Sequence, residues 1–152
     1  MKAWAPLRGS ICLVLGAAAA YAAGSDTPEN AMRALQQAFI QKNADQAVAA
    51  LDFTEEGRQL LQETNPLQAN DPDSIKRTAE LLELSFRNEL RTKGFPDVDK
   101  LTCSFSGKVQ IAPGLIRLTE KCVSQDGGQK NQEFMAMKRD DGWRVVLASP
   151  VF

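Results

Sequence analysis

Three side chains in the stretch LTCSFSGKVQIAPGLIRLTEKCV (101–123) have the types and spacing that chemistry uses: Cys103, Glu120 and Cys122. Two thiols can bond, exchange electrons or bind a soft metal, and a carboxylate can move a proton or orient a ligand. A hairpin turn near 112–113 sets Cys103 opposite Cys122 and Phe105 opposite Glu120. The same register sets Gly107 opposite Leu118 and Val109 opposite Ile116. A slip of one residue would send Cys122 and Glu120 to the other face. Directly opposed cysteines are close enough to bond. Closing a loop of about 20 residues predicts roughly 3 kcal/mol of stabilisation. Redox chemistry is not the expectation, because no CxxC motif is present. No metal is expected either, with two cysteines in the mature chain and no histidine anywhere.

Parity places Glu120 beside Phe105 and Leu118 on the apolar face. There it is a general base or ligand-orienting group in a pocket, or it pairs with a nearby arginine, or the strand end is solvated. Met135 and Met137 share one face of the third strand and complete the expected apolar lining with Phe105 and Leu118. No Ser-His-Asp or Cys-His set, GxSxG, P-loop or dinucleotide glycine pattern is present. The expectation is therefore a domain without a catalytic residue and without a cofactor.

Periodicity supplies the elements that position these groups. Thr27, Pro28 and Glu29 read as a helix start, and Ala31, Leu35, Ala38 and Phe39 as its buried stripe, with Met32 flanking. Asp45 is the expected cap of a short second helix carrying Ala47, Val48 and Leu51. Thr54-Glu55-Glu56 starts a third helix, and Asp73 or Ser74 caps the longest. That helix buries Ile75, Ala79, Leu82, Phe86 and Leu90, widened by Leu81 and Leu84, and stops at Gly94-Phe95-Pro96. Beyond it the period changes to two. Strands are expected over 101–111, 115–124, 132–138 and 143–149, joined by short turns. The last is apolar on both faces, as in a covered strand or a homodimer surface. The fold class is α+β, with N-terminal helices packed on a curved four-stranded antiparallel meander.

The N-terminus carries Lys2 and Arg8, then the apolar run ICLVLGAAAA at 11–20, then Ala20-Tyr21-Ala22. This pattern predicts a signal peptide over 1–22, cleavage before Ala23 and a periplasmic domain over 23–152. The run is too short to span a bilayer. Cleavage takes the 18 basic residues to 16 against 19 acidic ones, a net charge of −3, and leaves two cysteines. An even pair in an exported chain reads as a disulfide. A weakly acidic chain without a basic run excludes nucleic acid as a natural partner.

Two segments, TPENAMRALQQAFIQKNADQAVAALD (27–52) and DDGWRVVLASP (140–150), resemble the opening and closing of the nuclear transport factor 2-like superfamily, in its broad cystatin-like sense. The first matches its opening helix, Asn-Ala-Asp break and short second helix. The second matches its closing strand. The rather helical 54–93 region departs from the superfamily's small extra strand. The resemblance implies a cone of helices over a curved sheet. It also implies either binding work, on a small apolar ligand or an envelope or toxin protein, or an isomerase- or dehydratase-like activity with Glu120 in the cone.

Overall fold

The computed structural model describes residues 24–147. The expected signal peptide and the 148–149 end of the expected fourth strand lie outside the described residues.

Four helices precede four strands: α1 (Pro28–Ile40), α2 (Ala44–Ala50), α3 (Phe53–Thr64) and α4 (Pro72–Lys93), then β1 (Leu101–Ala112), β2 (Leu115–Ser124), β3 (Gln129–Arg139) and β4 (Gly142–Val146). The sheet is antiparallel in the order β1-β2-β3-β4, a plain meander. No described helix is long and apolar enough to cross a membrane.

Side-chain caps set the helix starts. Thr27 accepts from the Asn30 N–H, as expected. For α2 the cap is Asn43, which accepts from Gln46, and Asp45 sits in the first turn, where its charge suits the helix dipole. For α3 it is Asp52, two residues before the expected start. For α4 it is Asp71, because Pro72 fits the first helical position and pushes the cap upstream of Asp73 and Ser74. Gly94 ends α4 at φ +85°, a backbone value glycine adopts without penalty.

The core forms where Ala31, Met32, Leu35 and Ala38 of α1 meet Leu118, Phe134, Ala136 and Val145 of the sheet. Leu82 and Leu90 of α4 join it. Leu81 and Leu84 do not, being 67% and 66% exposed. Each helical residue turns the side chain by about 100°, so both fall outside the stripe centred on Leu82, Phe86 and Leu90.

The expected register holds at Cys103–Cys122 and Phe105–Glu120 and then shifts. An irregularity between Phe105 and Gly107 pairs Gly107 with Thr119 and Lys108 with Leu118. One extra residue reverses parity. Val109 and Ile111 therefore lie on the outer face, exposed, while Lys108 takes the helix-facing side and, still exposed, meets Glu29 of α1 at 3.3 Å. β4 is apolar on both faces because its edge is covered. Ser25 bridges to Trp143, Leu51 bridges to Val145, and the Asp52 N–H donates to the Val145 carbonyl at 2.8 Å.

Candidate functional site

Cys103 on the edge strand β1 and Cys122 on β2 are disulfide-bonded, with Cα atoms 4.1 Å apart. Oxidised protein should weigh about 2 Da less than its reduced form by intact mass, the loss of two hydrogens on forming one bond. Two residues before Cys122, on the same face, Glu120 is 1% exposed.

Among the described residues, two glutamine amides rather than an arginine satisfy this carboxylate, and it is shut off from bulk solvent. Its Oε1 accepts from Gln36 Nε2 of α1 at 2.9 Å, and its Oε2 accepts from Gln132 Nε2 of β3 at 2.6 Å. Gln132 faces Glu120 directly across the β2–β3 ladder. The same amide nitrogen lies 3.9 Å from Cys122 Sγ. Two amides clamp a buried acid that would otherwise be costly to hold inside. Arg33, one turn before Gln36, lies instead over the Phe105 ring at 5.3 Å. Phe105 in turn meets Phe134 edge-on, with ring centroids 6.1 Å apart.

Phe105, Leu118 and Glu120 thus share the inner face, but Met135 and Met137 do not. β2 and β3 pair without a register shift, setting Leu118 against Phe134, Met135 against Arg117 and Met137 against Leu115. Period-two alternation then sends both methionines to the opposite face. Met135 lies against α3, with Gln59 Nε2 4.0 Å from its sulfur. The turn at 124–128 fixes this register through the Gly127 N–H to the Ser124 carbonyl and the Ser124 N–H to the Gly128 carbonyl. Phe134 and Ala136 occupy the inner positions expected for the methionines.

Sequence reasoning also missed the cluster at the start of α3. Asp52, Glu55 and Glu56 are all buried. Asp52 takes two hydrogen bonds from Arg139, at 2.6 and 2.9 Å, and caps the Glu55 N–H. Glu55 is held by Arg58 and Gln59. Among the described residues Glu56 accepts the Leu147 N–H alone, at 3.0 Å, and burial pushes its pKa to about 7, against the lowering effect of that bond. The signal was the run Asp-Phe-Thr-Glu-Glu, which a helix start tolerates because its amides and dipole favour acids.

The donor atoms of Cys103, Glu120 and Cys122 lie within 4.8 Å of one another. With the two sulfurs bonded together, that set offers no thiolate to a metal. A separate open groove of about 560 Å³ lies where α2 and the start of α3 face α4. Val48, Leu51, Phe53, Ile75 and Ala79 form its apolar part, with Lys76, Glu80, Glu83 and Arg144 also lining it.

No known protein-family model matches the chain. No curated protein matches it. A solved structure from Campylobacter jejuni, described as a "Putative NTF2-like transpeptidase", is similar at 11% identity and a TM-score of 0.41, over 81% of this chain and 100% of that one. A likeness this distant carries no inference about chemistry.

Proposed function

We propose that this chain is an exported, periplasmic, non-enzymatic binding domain whose partner is a segment of an envelope protein. The observation that carries this reading is the open groove, lined by apolar Val48, Leu51, Phe53, Ile75 and Ala79 together with charged Asp52, Lys76, Glu80, Glu83 and Arg144. An extended or helical segment buries its apolar side chains in such a groove and meets the charges with its polar face. The order of four helices and then a meander supports the superfamily resemblance, whose members include interaction domains of this kind. Activity centred on Glu120 is disfavoured because the carboxylate is sealed from solvent and both its oxygens are engaged. A small apolar ligand is the second reading, since the groove volume falls within the range of about 300–1,000 Å³ typical of ligand sites.

The test is a groove variant. Ile75→Glu should weaken capture of the protein partner about tenfold or more, as expected for a charge placed against a buried apolar contact. Its melting temperature should stay close to that of the parent, because Ile75 is only half-buried. Equal capture by parent and variant would refute the reading. Native mass spectrometry showing a co-purified apolar molecule lost in the variant would select the ligand instead. Glu120→Gln should leave partner capture unchanged, and loss of a measurable turnover in a folded variant would establish the enzyme alternative.

A further inference from the structure

We propose that the outer face of α4 is a self-association surface, on which a second copy of this chain packs its own α4 antiparallel through Leu81 and Leu84. The inference does not rest on the groove reading.

Spacing sets the face. Leu82, Phe86 and Leu90 turn one side of α4 into the core. At about 100° per residue, Arg77, Leu81, Leu84 and Asn88 fall on the opposite side. All four are exposed, Leu81 at 67% and Leu84 at 66%. With Ser74 and Arg91 they recur at alternating steps of three and four residues, the spacing of a seam between two helices. Leu81 and Leu84 are neighbours on that face, so they form one apolar contact and not two scattered ones.

The face is complementary to itself. Setting Leu81 opposite the partner's Leu84 makes opposed residue numbers sum to 165, and the bounds of α4, Pro72 and Lys93, sum to the same value. The leucines therefore straddle the midpoint of the helix, and the two copies of α4 overlap end to end. In this register Arg77 stands opposite the partner's Asn88, Arg91 opposite the partner's Ser74, and Glu80 opposite the partner's Ser85. No two like charges oppose each other. The partner's Arg87 stands level with Thr78, two residues or about 3 Å along the axis from Glu80, and on the same flank. Arg87 gives its Nε to Glu83 and an Nη to Asp45, which leaves a second Nη for the partner's Glu80. A parallel pair would instead stack Arg77 on the partner's Arg77 and Arg91 on the partner's Arg91. Charge thus selects the antiparallel arrangement. One helix laid on one helix buries less than the roughly 1,200 Å² of a stable specific interface, so the dimer is reversible, with a dissociation constant on the order of 100 µM.

The test is sedimentation equilibrium of the oxidised mature protein between about 10 µM and about 1 mM, a range that brackets that value. The average mass should climb from monomer toward dimer. Leu81→Lys and Leu84→Lys should each remain monomeric throughout, with melting temperatures close to that of the parent because both leucines are exposed. Glu80→Lys should weaken association about tenfold, since two exposed ion pairs become repulsions. Ile75→Glu, at the groove, should leave it unchanged, so the two readings fail separately. Register is read by oxidising an equal mixture of the Leu81→Cys and Leu84→Cys variants. Disulfides joining position 81 to position 84 should exceed those joining like positions several-fold. A parent that stays monomeric at about 1 mM would overturn the proposal. So would dimers that survive Leu81→Lys and Leu84→Lys, which would place the contact elsewhere, or cross-links dominated by like positions.

Discussion

Asp52→Ala should destabilise the domain by about 3–4 kcal/mol, among the larger losses a single substitution causes. Three interactions meet at this residue. Its Oδ1 caps α3 by accepting the Glu55 N–H at 2.9 Å, a bond worth about 1 kcal/mol. Its carboxylate takes both the Nε and an Nη of Arg139, and this two-pronged geometry is the strong form of the ion pair. Its backbone N–H joins the chain to β4 at Val145. Alanine keeps the last of these and loses the first two. Breaking a fully buried pair costs about 3–5 kcal/mol, but the Arg139 side chain is 34% exposed and recovers part of its hydration when orphaned. That leaves about 2–3 kcal/mol for the pair beside the cap. Urea unfolding of Asp52→Ala, Arg139→Met and the double variant separates the two contributions. The coupling in that cycle should be on the order of 2 kcal/mol, and Asp52→Asn, which retains a capping oxygen, should fall between parent and alanine. A loss for Asp52→Ala below about 1 kcal/mol would show that Arg139 finds equal partners elsewhere.

What the sequence made legible follows from how local each signal is. The change from helical to alternating spacing after Pro96 is visible in the residues themselves, and the structure has four helices and then four strands in those places. Cys103 against Cys122 is also local, being fixed by one hairpin. The register beyond Phe105 was not legible, because an extra residue at a bulge leaves no mark in a polar edge sequence such as Ser106-Gly107-Lys108. Met135 and Met137 were misplaced because alternation defines two faces without saying which is inner. Only the pairing of β3 with β2, and the packing of Phe134 and Ala136 on α1, decides that. Glutamines leave even less trace. Gln36 sits 84 positions from Glu120, and nothing in a single sequence marks one amide among many as a buried clamp. The acids of α3 were legible as a helix start but not as a buried cluster, since burial there depends on β4 arriving with Leu147 and on Arg139 arriving from β3.

That cluster makes stability depend on pH with a sign opposite to ordinary acid denaturation. Glu56 is the group concerned. Desolvation raises its pKa to about 7 from 4.5, Asp52 adds to the rise through repulsion, and the Leu147 N–H only partly offsets it. Between those two values the folded chain holds a proton at Glu56 that the unfolded chain has released. The folded state then binds more protons, so the free energy of unfolding falls as pH rises. The contribution is fully present below pH 4.5, declines across the interval and is gone above about 7. A rise of this size corresponds to roughly 3 kcal/mol. Glu56→Gln removes the titration and keeps an amide oxygen to accept the Leu147 N–H. The variant should therefore equal the parent near pH 4.5 and exceed it by roughly 3 kcal/mol at pH 8, read as the difference between urea-unfolding midpoints scaled by a common slope. Other acids act in the opposite direction, so the variant–parent difference, not the parent curve alone, carries the sign. A difference that stays flat from pH 4.5 to pH 8 would place Glu56 in contact with water, with the end of β4 held to α3 by something other than this carboxylate.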